Sequence, residues 1–446
     1  MNNTKFTVHE SKLLREKYYS MTHDSGLEIF VFPKKLSSTY AIIGTRYGSI
    51  DNTFHLEGED KVTKVPDGIA HFLEHKLFTN EDGSDSFERF SAYGADANAY
   101  TSFNKTAYLF CCTDNLEPSL RELIEFVTHP YFTDESVKKE IGIIAQEIKM
   151  YDDSPAEACY VGMLEGLYEK HGIRRNICGS VRSISKITPE LLYECYRVFY
   201  DLSNMSLVVC GDVTPEEISE IVDPLLPKAK TGIKPISLSR RVLESQSVFM
   251  PRVSKRMQVS KPIFNIGIKD TDVPKDPYER LRKDAGMSIL NEMLFSRAGE
   301  LYSDLFESGT IDPEMSYCYT INESFAFNSI AGEANDPEAV LGKIKDYINE
   351  KKNNGLSMAD FERGRRVMYA EFVKEFDSTE SIANSLLSFV FEGADIFSFA
   401  EIVLNVSFED VKRLFDSAFK DEYFTLSVVY PLSDDNEKNE DNGGVL

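Results

Sequence analysis

The segment GIAHFLEHKLF, residues 68–78, is preceded by Asp67, and the pair predicts a helix capped by that aspartate. On such a helix His71, Glu74 and His75 occupy positions i, i+3 and i+4, so their side chains leave the same face. Two imidazoles one turn apart can bind the same metal ion. The alternative explanation of the motif is a buried polar patch on an otherwise apolar helix.

A catalytic zinc site usually has a third protein ligand and keeps its fourth position for water. The other five of the seven histidines lie in loop-like segments, so a carboxylate on a later helix is the better candidate. Glu140 and Glu147 are seven residues apart in the helical segment EIGIIAQEIKMYDD and share one otherwise apolar face. We therefore predict that Glu147 is the third ligand and that Glu140 orients an imidazole from behind. Both acids could instead be ordinary exposed carboxylates.

The position of Glu74 between the two candidate histidines suits a general base. A carboxylate there can take the proton of a water that the ion has activated, after which the oxygen can attack a peptide carbonyl. Two imidazoles and one carboxylate favour zinc over manganese or cobalt. The motif thus predicts a zinc peptidase with one Zn²⁺ per chain.

Composition limits the other classes of function. The chain has 446 residues, with 73 acidic and 49 basic side chains and a formal net charge of −24, and no basic cluster stands free of acids. Nucleic acid is therefore an unsuitable partner. The seven cysteines form no CxxC pair and several lie in apolar runs, which indicates reduced core residues. With no leader-like start and no apolar run long enough to cross a bilayer, we expect a cytoplasmic protein without membrane contact.

The second half of the chain repeats the order of predicted strands and helices of the first half. The segment AGMSILNEMLF, residues 285–295, aligns with residues 68–78 at the apolar positions, but the three metal-site positions become Ser288, Asn291 and Glu292. We interpret this as an internal duplication in which only the first copy keeps the metal site.

The same duplication predicts the domain boundaries. Aligning EIKMYDDS with EFVKEFDS places Glu371 at the position of Glu147. A segment rich in Pro, Lys and Ser separates the halves. We predict a zinc-binding domain at 1–225, a linker at 226–250, a domain of the same fold at 251–431 and an acidic flexible tail at 432–446.

The HxxEH segment, the acid pair seven residues apart and their separation along the chain together resemble the inverzincin arrangement of the pitrilysin and insulinase family, which includes the mitochondrial processing peptidases. The resemblance covers nearly the whole chain and implies zinc ligands at His71, His75 and Glu147, with Glu74 as base and Glu140 in support. It also implies an α+β fold of two homologous domains, each an antiparallel-rich sheet packed with helices, which form half of a clamshell.

A second family-like segment is FSAYGADANAYTSFNKTAY, residues 90–108. It resembles the helix and edge strand of the family in which Asn98, Ala99 and Tyr100 would contact the backbone of a peptide substrate. The edge of a sheet offers unpaired N–H and C=O groups to an extended peptide. An ordinary paired strand is the alternative.

One segment departs from the family pattern. Active members usually have an Arg and a Tyr in the second domain, whereas LYSDLFESGTID, residues 301–312, has Phe306 at the place of the Arg and no Tyr at its end. We therefore expect a homo- or heterodimer, with a paralogue supplying the Arg/Tyr pair, that cleaves short or unfolded peptides in an enclosed chamber. The competing hypotheses are a non-catalytic assembly subunit and a peptide-binding module whose metal is structural.

Overall fold

A computed structural model describes residues 6–58, 60–229 and 235–432. Fifteen strands form in this part of the chain: β1 Thr7–Ser11, β2 Glu16–Thr22, β3 Glu28–Pro33, β4 Thr39–Thr45, β5 Thr53–Leu56, β6 Thr63–Lys64, β7 Asp96–Thr101, β8 Thr106–Cys112, β9 Met205–Gly211, β10 Pro235–Ser237, β11 Arg252–Met257, β12 Ile263–Asp270, β13 Ser316–Ile321, β14 Ala326–Glu333 and β15 Phe424–Pro431. The predicted tail falls outside these residues except for position 432.

Fifteen α-helices accompany the strands in the same described ranges. They are α1 Ile69–Leu77, α2 Ser86–Tyr93, α3 Leu116–Thr128, α4 Asp134–Asp152, α5 Pro155–Leu167, α6 Val181–Ile184, α7 Pro189–Phe199, α8 Pro215–Val222, α9 Pro277–Phe295, α10 Glu300–Glu307, α11 Pro337–Asn354, α12 Met358–Lys374, α13 Thr379–Glu392, α14 Ile396–Asn405 and α15 Phe408–Ala418.

The two large sheets have the same topology. Within the seven-stranded sheet, β3-β9-β4-β8-β7 are adjacent, and the five-stranded sheet has the order β11-β15-β12-β14-β13. In each set the first pair of strands is parallel and the other pairs are antiparallel. The shared topology agrees with an internal duplication, and the predicted α+β fold of two related, antiparallel-rich sheets packed with helices is confirmed.

The described residues form two compact units that exchange one segment each. The first unit contains the residues up to Ile148 with Asn176–Val242 and Tyr369–Glu401, and the second contains Lys149–Arg175, Leu243–Met368 and the residues from Ile402 onward. Helix α13 of the second half of the chain packs on β4 and β9, while α5 of the first half packs on β11, β12 and β15. The compact units are thus discontinuous, unlike the consecutive domains predicted at 1–225 and 251–431.

Glycines explain how the exchanged helices approach the sheets. A Cβ on Gly44 in β4 would lie 2.9 Å from Leu387 of α13, and one on Gly267 in β12 would lie 2.6 Å from Met163 of α5. Side chains at these two positions would keep the helices from close contact. In both repeats, a glycine in a central strand thus allows a helix to pack closely on the sheet.

Two predictions need correction. Gly68, not Asp67, is the N-cap of α1, with a φ of 91° and no side-chain cap, because the Asp67 carboxylate instead accepts a hydrogen bond of 2.5 Å from the Asn52 side chain. Five of the cysteines are buried as expected, but Cys111 is only partly buried and Cys318 is exposed.

Candidate metal centre

Helix α1 carries the HxxEH residues, and its start is fixed by a tight backbone crossing. Gly68 has φ 91° and Gly179 has φ 73°, both in the region that favours glycine. A Cβ on Gly68 would lie 2.4 Å from the carbonyl oxygen of Cys178, and one on Gly179 would lie 2.5 Å from the carbonyl oxygen of Asp67. The segment around Cys178 therefore holds the first turn of α1 in place.

The structure brings together the three side chains predicted to bind metal. Nε2 of His71 lies 3.5 Å from Oε1 of Glu147, and Nε2 of His75 lies 3.4 Å from Oε2 of the same carboxylate. One candidate ligand atom from each residue falls within 4.8 Å of the others, an arrangement that could hold a metal ion. Helix α4 supplies Glu147 because its position two turns after Glu140 directs both acids toward α1.

The environment of these atoms fits a divalent cation. Oε2 of Glu147 is a buried atom that forms no hydrogen bond of good geometry among the described residues, although Nε2 of His75 lies 3.4 Å away. A buried carboxylate oxygen of this kind costs free energy unless a cation neutralises it. Two imidazole nitrogens and one carboxylate oxygen form the donor set of many catalytic zinc sites.

Glu140 lies next to the imidazole of His75 on the side away from Glu147. Its Oε1 is 3.1 Å from Nδ1 of His75, while its Oε2 is 3.8 Å from Nζ of the buried Lys76. In a neutral imidazole, an Nδ1–H that donates to Glu140 leaves the Nε2 lone pair free to bind metal. Lys76 balances the charge of this supporting acid.

The pKa values reflect this crowding of charge. Burial opposes a charged imidazole, but hydrogen bonds to Glu140 and Glu147 prevail and raise the pKa of His75 to about 10. Hydrogen bonds from His71 and His75 hold the pKa of Glu147 well below its usual range. The electrostatics therefore favour an ionised Glu147, as metal binding requires.

Glu74 is buried at the same face of α1. Burial raises the pKa of its carboxyl group, against the opposing effects of His71 and of a hydrogen bond from Thr101. The Thr101 hydroxyl donates to Oε2 of Glu74 at 2.5 Å. A carboxylate with a raised pKa beside two imidazoles is suited to accept and return protons.

The predicted edge strand lies next to this cluster. In the described residues β7 pairs only with β8, which leaves its other edge open. Asn98 and Ala99 line a cavity of about 540 Å³ together with Glu74, His75 and Glu140. An extended peptide paired with this edge would therefore pass close to the candidate metal centre.

Tyr100 is placed differently from its two neighbours. Its hydroxyl donates to the Asn384 side chain of α13 at 3.2 Å, and burial raises its pKa to about 12. The side chain of Tyr100 thus secures the strand against α13. Its backbone remains part of β7.

The aligned positions of the second repeat carry a different arrangement. Glu292, which aligns with His75, accepts hydrogen bonds from Arg363 at 3.0 Å and from Tyr317 at 2.5 Å. Glu371, which aligns with Glu147, is exposed. An arginine cation pairs with the acid at this place in the second repeat, and the described residues give a single cluster suited to a metal, the one in the first repeat.

Sequence reasoning missed three residues around the centre. Thr101 contacts Glu74, Lys76 contacts Glu140, and Sγ of Cys178 lies 3.7 Å from Nε2 of His71. The two-residue period of a strand could have placed Thr101 on the same face as Ala99. Lys76 and Cys178 have no comparable signal, because their roles depend on contacts with distant segments.

The segment that departs from the family pattern forms α10 and the turn after it. Phe306 is exposed and its ring stacks on that of Tyr302, with centroids 6.0 Å apart. The residue at the place of the family arginine is therefore an aromatic side chain without charge.

Comparison with known proteins identifies the family of this two-repeat chain. Residues 62–179 match the model of the insulinase family (peptidase family M16), and residues 186–368 match the model of the peptidase M16 inactive domain. The chain belongs to this family. A Bacillus subtilis relative, named "Uncharacterized zinc protease YmfH", is 39% identical over 425 residues, which cover 95% of this chain and 99% of the relative.

Solved structures agree with this assignment. An M16-like peptidase from Alicyclobacillus acidocaldarius superposes with a TM-score of 0.87 at 29% identity, covering 96% of this chain and 99% of that one. Pitrilysin has the same fold, with a TM-score of 0.71 at 13% identity. The superposition covers 96% of this chain and 46% of the pitrilysin chain. In the part of the chain that the structure describes, no helix has both the length and the apolar character that a bilayer crossing requires.

Proposed function

We propose that this chain is a zinc-dependent endopeptidase in which His71, His75 and Glu147 hold one Zn²⁺ and Glu74 is the general base. The observation that carries the proposal is the convergence of the three ligand atoms within 4.8 Å, on the same face of α1 as a buried carboxylate. The relatives named as zinc proteases support the same chemistry.

The residues divide the reaction among them. A zinc ion bound here supplies a Lewis acid that lowers the pKa of water and polarises a carbonyl group. Glu74 accepts a proton from the attacking water and later gives it to the leaving amine. Glu140 keeps His75 in the tautomer that leaves Nε2 available.

The substrate we propose is a short or unfolded peptide. A sheet edge pairs only with extended backbone, so Asn98, Ala99 and Tyr100 of β7 would bind main chain with little regard for sequence. Folded proteins keep most of their backbone paired within the fold, so they should be poor substrates. An enclosed chamber, as the family implies, would add a limit on size.

Phe306 motivates the proposal of a dimer. Because the place of the family arginine is taken by an exposed phenylalanine, we propose that a second chain supplies the Arg/Tyr pair that holds the substrate carbonyl. We also propose a cytoplasmic location, in line with the sequence-based prediction. The zinc-loaded chain alone should then cleave peptides poorly, and addition of a paralogue with the pair should restore turnover. Full turnover by a homodimer would remove the case for the paralogue.

The decisive experiment is a Glu74→Gln variant, assayed for zinc content and, together with the partner chain that supplies the Arg/Tyr pair, for cleavage of an unstructured peptide library. The isosteric amide cannot accept the proton, so we expect stoichiometric zinc and a rate about 10²–10⁴-fold lower. Glu81→Gln, an exposed acid beyond the end of α1, is the matched control. Absence of both metal and cleavage in the wild type would favour an assembly subunit, and unaltered properties of Glu74→Gln would favour a peptide-binding module.

A further inference from the structure

Thr101 connects the edge strand with the proposed base. It is the last residue of β7 and lies directly opposite Thr106 of β8. Its hydroxyl is 2.5 Å from Oε2 of Glu74, and only Thr101 among the described side chains donates a hydrogen bond to that carboxylate. Thr101 thus adjoins both the residues proposed to bind peptide and the residue proposed to move protons.

Thr106 lies behind Thr101, and the two are paired across β7 and β8. Thr106 Oγ1 lies 3.2 Å from Thr101 Oγ1 and donates its hydrogen to the carbonyl oxygen of Tyr47 at 2.9 Å. Since each hydroxyl has one proton, that of Thr106 goes to Tyr47 and that of Thr101 goes to Glu74, which leaves no hydrogen bond between the two hydroxyls. Thr106 is fully buried, and the Tyr47 ring stacks on Phe199 at 4.0 Å. Thr106 is therefore anchored in the core of the first unit, and the pairing of β7 with β8 fixes the backbone position of Thr101.

A general base needs such support. The glutamate side chain has three rotatable bonds, and α1 fixes only its Cα. A misplacement of about 1 Å at a reacting group can cost roughly 100-fold in rate. A hydrogen bond to one carboxylate oxygen from a donor fixed by the sheet restrains the group and leaves its other oxygen free.

We infer that Thr101 is a positioning residue that aims the Glu74 carboxylate at the reacting water, an inference that rests on the proposed function. Because Thr101 ends the strand that would pair with the peptide, it also sets the base in register with the bound backbone. A threonine suits this task, since its branched side chain has few rotamers.

The test compares three variants of the zinc-loaded protein, assayed together with whatever partner chain the wild type needs for turnover. Thr101→Val removes the hydroxyl with little change in shape, and Thr101→Ser retains it. Thr45→Val is the matched control, because Thr45 also faces Thr106, is fully buried and donates to the carbonyl oxygen of Phe199 at 2.5 Å. It therefore loses a comparable hydrogen bond without touching Glu74.

For Thr101→Val we expect kcat to fall about 100-fold with KM and zinc content unchanged. Thr101→Ser should recover most of the rate, and Thr45→Val should keep the wild-type kcat. A crystal structure of zinc-loaded Thr101→Val should show the Glu74 carboxylate rotated from its wild-type position, and this readout requires no turnover.

The outcomes separate the inference from the proposed function. An unmoved Glu74 in the Thr101→Val crystal, or an active wild type whose kcat survives this change but not Glu74→Gln, would overturn the role of Thr101 alone. A wild type that binds no zinc or cleaves nothing with its partner would overturn the peptidase instead. In that case crystal structures of the wild type and of Thr101→Val in the same metal-free state decide whether Thr101 positions Glu74.

Discussion

Oε1 of Glu140 lies 3.1 Å from Nδ1 of His75, on the side of the imidazole opposite to the nitrogen that faces Glu147. This contact sets the tautomer of a proposed ligand without touching the ion. Loss of such an outer partner typically costs 10–100-fold in metal affinity.

The first prediction concerns Glu140. Glu140→Gln should weaken zinc binding by about 10–100-fold, because the amide is a poorer acceptor for Nδ1–H. Competition with a chelator of known affinity measures the change. Glu135→Gln, an exposed acid on the same helix, should bind zinc like the wild type. Equal affinities of the two variants would contradict the role of Glu140.

The second prediction compares the aligned acids of the two repeats. Glu147→Gln removes a proposed ligand, so zinc affinity should fall by more than the roughly 100-fold upper limit for an outer partner. Glu371→Gln alters an exposed side chain and should leave the zinc content at one ion per chain. Metal analysis after dialysis decides the matter, and retention of zinc by Glu147→Gln would refute the assignment.

The third prediction follows from the pKa of His75, which hydrogen bonds to Glu140 and Glu147 raise to about 10 against the effect of burial. Because the folded value lies above the unfolded value of about 6.5, protonated His75 stabilises the metal-free protein fully below pH 6.5. This contribution is lost as the pH rises to about 10. Urea unfolding of the metal-free wild type and of His75→Asn should therefore show a difference in stability that shrinks between pH 6.5 and pH 10.

Zinc provides the control for that pH dependence. A bound metal displaces the proton, so the zinc-loaded wild type should lack this particular decline. A difference between wild type and variant that stays constant from pH 6 to pH 10 in the metal-free state would disprove the pKa assignment.

The fourth prediction concerns the backbone crossing at the start of α1. Gly68→Ala pays the cost of a left-handed conformation, about 1–2 kcal/mol, and adds a clash with the Cys178 carbonyl oxygen. Gly83→Ala has a similar φ of 80° but no atom within 4 Å of the new Cβ, so its only cost in stability is the left-handed conformation. Chemical denaturation should show a larger loss of stability for Gly68→Ala. Gly68→Ala should also bind zinc more weakly than Gly83→Ala. If the two variants lose the same stability and the same zinc affinity, the crossing does not support α1.

The sequence by itself determined the local part of the candidate site. Helical hydrogen bonds join residues four apart, so the spacing of His71, Glu74 and His75 sufficed to place them on one face. The seven-residue spacing of Glu140 and Glu147 did the same for α4. The edge strand was implied by the resemblance of residues 90–108 to a family segment, and the repeated order of elements indicated the duplication.

Tertiary structure alone decided which of these faces meet. The contacts of Thr101 with Glu74, of Lys76 with Glu140 and of Gly68 with Cys178 join segments whose separation no local pattern encodes. The exchange of α5 and α13 between the units is of the same kind, because an apolar helix face is satisfied by any sheet of suitable shape. Periodicity fixes which side of an element is apolar or polar, but its partner is set by packing of the whole chain.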